Sequence, residues 1–316
     1  LWSLERIIKL YGMKDSLVDI VIVNWNAGSY LQDCVKSIAA NKNANIGNVV
    51  IVDNGSTDNS LSLLPNDKTY INLIREKINH GFGKACNIGA SYTDSKYILF
   101  LNPDTKINES SINESINYME KESSSDVGIC GIQLKDKYGT TASCSRFPSL
   151  LNIFSSSIGL SKLFFKLGAP MKDFSHESST EVDQVMGAFF FIRTDLFNQC
   201  NGFDEQFFVY YEEVDLSKRI NSLGFKSIFL ADCNAYHVGG GVSQQVKAKR
   251  LFYSLRSRIL YSNKHFNFLS YLAIYFLSLL VEPISRIGFS LARLDFKAIS
   301  ETISAYKLLF LWTVKR

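Results

Sequence analysis

From Val18 the chain reads VDIVIV, a short β-branched run interrupted only by Asp19, and it stops at Asn24-Trp25-Asn26. The stretch that follows, residues 31–40, carries apolar side chains at the spacing of one helix face. The unit then recurs. NVVIVD (48–53) leads to SLSLL, TYINLIR (69–75) to GFGKACNIGASY, and KYILFLNPD (96–104) to INESINYME. Four apolar runs alternating with helical stretches predict an α/β fold with a mostly parallel central sheet covered on both faces.

Ligands of such sheets sit beyond the carboxyl ends of the strands. Those ends are polar here: Asn24 and Asn26 after the first, Asp53-Asn54-Gly55-Ser56 after the second, Asn79-His80-Gly81 after the third and Asn102-Pro103-Asp104 after the fourth. One such loop is explained by turns and helix caps. Four along one edge point to a ligand site. GFGKACNIG (81–89) lacks the GxGxxG interval and follows the third run, so it is not a dinucleotide fingerprint. It leaves small residues before a helix start, where free N–H groups and Lys84 can face phosphate.

Composition adds a boundary. The chain has 316 residues, 46% hydrophobic and 20% charged, which excludes disorder and a small disulfide scaffold. Residues 1–246 hold 22 Lys and Arg against 27 Asp and Glu, whereas residues 247–316 hold 12 against three. An N-terminal extension (1–17), an acidic body (18–246) and a basic helical region (247–316) are therefore expected. Six scattered cysteines without a CxxC pair read as reduced thiols. The first 20 residues lack a signal-like apolar core, which predicts a cytoplasmic location.

In the basic region, residues 266–281 form a 16-residue run without charge, shorter than the roughly 20 residues a bilayer span needs. A buried or interfacial helix is expected there. Beyond it, Leu291, Leu294, Ala298, Thr302, Ala305, Leu309 and Trp312 step by three or four, with Arg293, Lys297 and Lys307 on another face. This pattern predicts an amphipathic helix that either holds the protein on the inner face of the cell membrane or packs on the body. Residues 146–180 add a second apolar stretch. Basic residues interleaved with long aliphatic runs do not suit nucleic acid. Self-association is left open.

VIVNWN (21–26), VVIVDNGSTDNS (49–60), NHGFGKACNIG (79–89), LFLNPDT (99–105), GFDEQFFVYYEEVDLSKRINSLGF (202–225) and YHVGGGVS (236–243) occur in the order found in family 2 glycosyltransferases. The chain resembles most the rhamnosyltransferase-like branch, over roughly residues 18–260. The resemblance implies a GT-A fold, a nucleotide-diphospho-sugar donor, a divalent cation (Mn²⁺ or Mg²⁺) and inversion at the anomeric carbon. It places Asn26, Asp53, Asn79, Gly81, Lys84, Asn87 and Asn102 around the donor, with the Asp53 carboxylate suited to accept a pyrimidine N–H. Asp104 is the implied metal ligand. The often-seen Asp-x-Asp reads Asn102-Pro103-Asp104 here, so a second ligand is needed, and His237 matches the position of a metal-binding histidine.

Tyr211-Glu212-Glu213-Val214-Asp215 matches the block that supplies the general base. Glu213 is its expected carrier and Glu212 the reserve, while an acidic first helical turn needs no catalysis. Gly187, Ala188, Asp204 and Asp215 match positions near the acceptor. The resulting expectation is transfer of a sugar, rhamnose favoured, from a dTDP- or UDP-sugar to a hydroxyl of a lipid-linked or oligosaccharide acceptor. A non-catalytic, membrane-associated nucleotide-sugar-binding subunit is the alternative, prompted by Asn102 and Glu213. A nucleotidyltransferase is a third reading, disfavoured by the absence of a triphosphate-type basic loop.

Overall fold

The computed structural model describes residues 16–41, 45–65, 70–140, 143–171, 173–239 and 246–315. Most of the expected N-terminal extension, residues 1–15, and residues 240–243 of YHVGGGVS lie outside the described residues. Strands β1 (Val18–Asn24), β2 (Ile46–Asn54), β3 (Ile71–Glu76) and β4 (Tyr97–Leu101) lie parallel in the order β3-β2-β1-β4. Helices α1 (Ser29–Ala39) and α2 (Phe82–Ala90) follow β1 and β3. Ile20 and Ile22 join the core beneath Leu31 and Val35 of α1, while Val21 and Val23 face Ala85 and Cys86 of α2. Burial on both faces is why β1 reads as a continuous apolar run rather than an alternation. Its one charge, Asp19, is fully buried and accepts backbone N–H bonds from Asn48 (2.6 Å), Asp94 (3.0 Å) and Ser95 (3.2 Å).

The sheet continues with β5 (Thr105–Lys106), helix α3 (Glu109–Met119), β6 (Val127–Asp136), β7 (Gly139–Thr140), a small pair of β8 (Cys144–Ser145) with β10 (Gln184–Val185), α4 (Leu150–Ser157), β9 (Thr180–Val182), β11 (Phe189–Arg193), α5 (Thr194–Gln199), α6 (Glu212–Ser222) and β12 (Lys226–His237). β11 runs antiparallel between β4 and β6, and β12 lies parallel to β6. This order sets the end of β4, the start of β11 and the end of β12 beside one another. SLSLL, expected to be helical, is only a 3₁₀ turn, Ser60–Leu63. Ser60 bonds Asp58 through both its backbone N–H and its hydroxyl, and such local side-chain bonds compete with helix propagation.

The C-terminal region comprises α7 (Lys247–His265), α8 (Phe268–Phe276), a π turn (Leu277–Val281), α9 (Glu282–Ala292) and α10 (Phe296–Val314). Two expectations are corrected here. The apolar run does not end at Glu282-Pro283, because the π turn absorbs the ring of Pro283 and the helix continues, giving 25 residues, Phe268–Ala292, with a mean hydropathy of 1.6 over its most apolar window. By length and composition that helix is long enough to cross a bilayer. The amphipathic stripe from Leu291 to Trp312 is not one helix. Leu294 adopts φ 55° and Asp295 caps Ala298, so α10 starts afresh, and Thr302, Ala305 and Leu309 turn inward, with Leu309 packed on Leu255 and Ile259 of α7.

Candidate active site

The strand ends are laced together before they can meet a ligand. The Asn24 amide donates to Asp53 (2.8 Å), Ser56 (3.1 Å) and Ser60 (2.9 Å), holding the β1 and β2 ends in register. Asn26, at φ 53°, accepts from the backbone N–H of Thr57 (2.7 Å) and Asp58 (3.2 Å). Asp53 is nearly buried, with Oδ1 held by Asn24. Asn79 accepts from Asn54 and from the Gly81 N–H, so its carbonyl shapes the turn before α2. Gly81 sits at φ 90°, and a Cβ there would lie 2.2 Å from the Phe208 carbonyl oxygen. Only glycine permits that approach, which is closed by a Phe82 N–H bond to the same oxygen (2.6 Å).

Helix α2 is docked onto the segment that precedes α6. Asn87 bonds the Phe203 backbone in both directions, at 2.9 Å each, and Lys84 pairs with Glu205 at 3.2 Å on the surface. The side chain of Asn87 is thus engaged with the protein itself. Gly83 faces Glu212, whose Cβ is 3.4 Å from where a Gly83 Cβ would stand. Gly187 instead faces Glu213, with Cγ at 3.7 Å from the equivalent point. Adjacent glutamates therefore point to different walls: Glu212 to α2, Glu213 to the start of β11. Burial pushes both carboxyls up, and for Glu212 the neighbouring Glu213 charge pushes further. Oε2 of each is buried and has no hydrogen-bond partner among the described residues.

Tyr210 and Tyr211 enter α6 at φ 69° and 73°, a left-handed pair that costs about 1–3 kcal/mol per residue. Helix α7 holds them in place. Tyr261 packs on Tyr211 at 5.3 Å between centroids, Tyr253 stacks on Phe208 at 4.5 Å, and Ser257 donates to the Val209 carbonyl at 2.9 Å. Asp215, fully buried, binds Arg219 (2.8 Å), Lys264 (2.8 Å) and His265 (2.7 Å). Burial acts to raise its pKa, but the bonds from His265 and Lys264 outweigh that and hold it below the ordinary range. Lys264 also reaches Asp204 at 2.6 Å. Asp204 and Asp215 thus face α7. Sequence pattern does not single out Lys264, His265 or Tyr210, since a basic helix end reads as a dipole partner and nothing local marks a tyrosine for φ above zero.

Across the sheet edge, Asn102 donates its N–H to the Ala188 carbonyl at 3.1 Å, so the β4 end and the Gly187-Ala188 corner touch. Asp104 Oδ1 lies 3.3 Å from His237 Nε2, both nearly buried. That separation is close to the ~3 Å between adjacent ligands of an ion with ~2.1 Å bonds. No third His, Cys, Asp or Glu joins them among the described residues. A carboxylate and an imidazole fit a divalent cation whose remaining ligands are oxygens of a bound diphosphate. Several expected positions are brought near one another: Asn24 bonds Asp53, its neighbour Asn54 bonds the Gly81 carbonyl, Gly83 stands by Glu212 and Gly187 by Glu213, and Asn102, which bonds Ala188, lies two residues before Asp104 with its partner His237.

Residues 19–197 match the profile of Glycosyl transferase family 2, and the chain belongs to that family. Among its relatives, it is 28% identical over 257 residues to the rhamnosyltransferase WbbL of Escherichia coli K12, covering 76% of this chain and 94% of that protein. It is 23% identical over 237 residues to the N-acetylglucosaminyl-diphospho-decaprenol L-rhamnosyltransferase of Mycobacterium tuberculosis H37Rv, covering 70% and 76%. The fold is shared with the mannosyltransferase PcManGT of Pyrobaculum calidifontis, solved with GDP-Man and Mn²⁺, at 12% identity and a TM-score of 0.57 over 97% of this chain and 93% of that one. It is shared too with residues 1–349 of S. aureus TarS, at 15% identity and a TM-score of 0.52 over 95% and 92%. The expected GT-A architecture is therefore present, followed by C-terminal helices.

Proposed function

We propose that this chain is an inverting glycosyltransferase that moves a sugar, rhamnose in preference, from a dTDP- or UDP-sugar to a hydroxyl of a lipid-linked surface glycan. The observation that carries the reading is the Glu213 carboxylate: on a half-buried residue, with one buried oxygen that has no partner among the described residues, its pKa raised by burial, and set against Gly187 at the sheet edge. A raised carboxyl pKa is what a general base working near neutrality needs. The acceptor hydroxyl attacks the anomeric carbon on the face opposite the diphosphate. As the new C–O bond forms, the bond to the diphosphate oxygen breaks, Glu213 takes the hydroxyl proton, and the nucleoside diphosphate leaves. Asp53 accepts the base N–H and Glu212 backs the donor-side helix. Asp104 and His237 would hold a divalent cation, which supplies neutralisation of charge on the departing diphosphate.

The two rhamnosyltransferase relatives support the sugar, and the decaprenol in one printed name supports the lipid-linked acceptor. In this reading residues 18–246 carry the donor chemistry, and residues 247–316 place the enzyme on the cytoplasmic membrane surface. Exposed Phe268, Leu269, Leu280 and Ile284 support that placement. The test compares wild type with Glu213→Gln using dTDP- and UDP-sugars and membrane acceptor. Turnover should fall by about 10²–10⁴-fold while nucleotide affinity holds. Nucleotide binding without any wild-type turnover would favour the non-catalytic subunit instead.

A further inference from the structure

An apolar groove of about 670 Å³ runs between α4 and the long C-terminal helix, walled by Leu150, Leu151 and Phe154 on one side and Ala273, Phe276 and Leu280 on the other. Its size lies in the ~300–1,000 Å³ range of sites for small ligands. We propose that this groove binds the isoprenoid chain of the acceptor, with the phosphorylated head turned toward Glu213; the proposal rests on the lipid-linked acceptor of the reading above.

Three observations single out this occupant. The groove leads to the catalytic loop: Ile153 packs with Ile274 and Leu277 beside Phe266, the Phe266 ring meets Tyr261 at 6.2 Å, and Tyr261 packs on Tyr211, the residue before Glu212. Packing is thus continuous from the groove to the loop that carries the base, and that loop marks the end toward which the head group would lie. Cationic chemistry stands at that end, where the Lys218 ammonium of α6 sits 4.6 Å from the centroid of Phe147, two residues before the α4 cap Ser149. A phosphate there would meet a positive charge, which neither a hydrocarbon tail alone nor a neutral protein face calls for.

The groove is also prebuilt. Glu282, nearly buried in the middle of the long helix, binds Arg258 of α7, Arg286 (2.8 Å) and Ser157 at the end of α4 (3.1 Å), while Arg258 reaches Ser278 at 2.8 Å. Burial acts to raise the Glu282 pKa, but Arg258 and Arg286 prevail and keep it low. This network ties both walls to the body. It also turns the polar side of the helix inward, leaving Leu280 and Ile284 exposed. Leu280 lines the groove, whereas Ile284, outside it, belongs to the surface a bilayer would meet.

The test is photolabelling of the full chain in neutral detergent micelles with a long-chain polyprenyl phosphate carrying a photoreactive group, followed by peptide mapping. Label should fall on the segments around 150–154 and 273–281, and unlabelled polyprenyl phosphate should displace it while phosphatidylglycerol at equal concentration should not. Leu151→Glu and Leu280→Glu, both at exposed positions, should each lower labelling at least tenfold with dTDP or UDP affinity unchanged in calorimetry. Equal displacement by phosphatidylglycerol would reduce the groove to a bilayer contact and overturn the proposal, as would label elsewhere or undiminished label in both variants. Correct labelling in a wild-type chain that binds no nucleotide would sink the functional reading and leave the groove assignment standing.

Discussion

The Asp104 carboxylate and the His237 imidazole lie 3.3 Å apart although 133 residues separate them along the chain. The pairing arises because β12 pairs antiparallel with β5 at its far end, His237 opposite Thr105. The Val238 N–H also bonds the Asp104 carbonyl at 3.2 Å, so the backbone around both side chains is held. In the proposed reading this two-residue site, completed by diphosphate oxygens, would make cation and nucleotide bind together.

Removing either side chain should uncouple them. His237→Ala and Asp104→Ala are each expected to abolish the Mn²⁺ dependence of dTDP or UDP binding, weakening affinity in the presence of Mn²⁺ by at least about tenfold. Isothermal titration with and without the ion checks this. Equal Mn²⁺ enhancement in wild type and both variants would remove the pair from the cation site.

Glu212 makes a prediction about pH. Its carboxyl is pushed well above the ordinary value near 4.5 by burial and by Glu213. A group raised in the folded state contributes stability that is complete below its unfolded pKa and is lost as pH rises through its folded one. Glu212→Gln removes that loss. The variant should therefore gain melting temperature over wild type as pH rises from about 5 to about 8. Thermal melts across that window check it, and a pH-independent difference would contradict the assignment of a raised pKa.

Asp215 behaves in the opposite sense. Its lowered pKa supplies stability that is present above the ordinary aspartate value near 3.8 and lost as pH falls through the folded value. Asp215→Asn strands Arg219, Lys264 and His265 around a neutral group and should cost about 3 kcal/mol in urea unfolding at neutral pH. Lys264→Met should cost less, since that side chain is partly exposed. Both should lower transfer, because α7 clamps the loop that delivers Glu213. Wild-type stability and turnover in Asp215→Asn would show that α7 rests on the site without supporting it.

Much of this protein is decided by short-range pattern. The apolar runs at 18–23, 48–53 and 96–101 place strands because β-branched residues buried on both faces leave few other conformations, and the polar strand ends mark the binding edge because polar groups collect where a sheet stops burying its chain. Ordered motifs then point to the family, which the profile match over 19–197 establishes. What only the tertiary structure decided depends on contacts between distant segments. Glu212 and Glu213 are neighbours in sequence, yet one faces Gly83 and the other Gly187, because successive helix positions turn by about 100°. The Lys264 and His265 side chains read as a basic helix end until α7 lays them on Asp215. The uncharged run at 266–281 reads as too short to span a bilayer until Arg258 and Ser157 supply the buried partners that let Glu282 sit inside a longer helix. Periodicity records which face of an element is buried; which residue meets which across that burial is set by the packing of the whole chain.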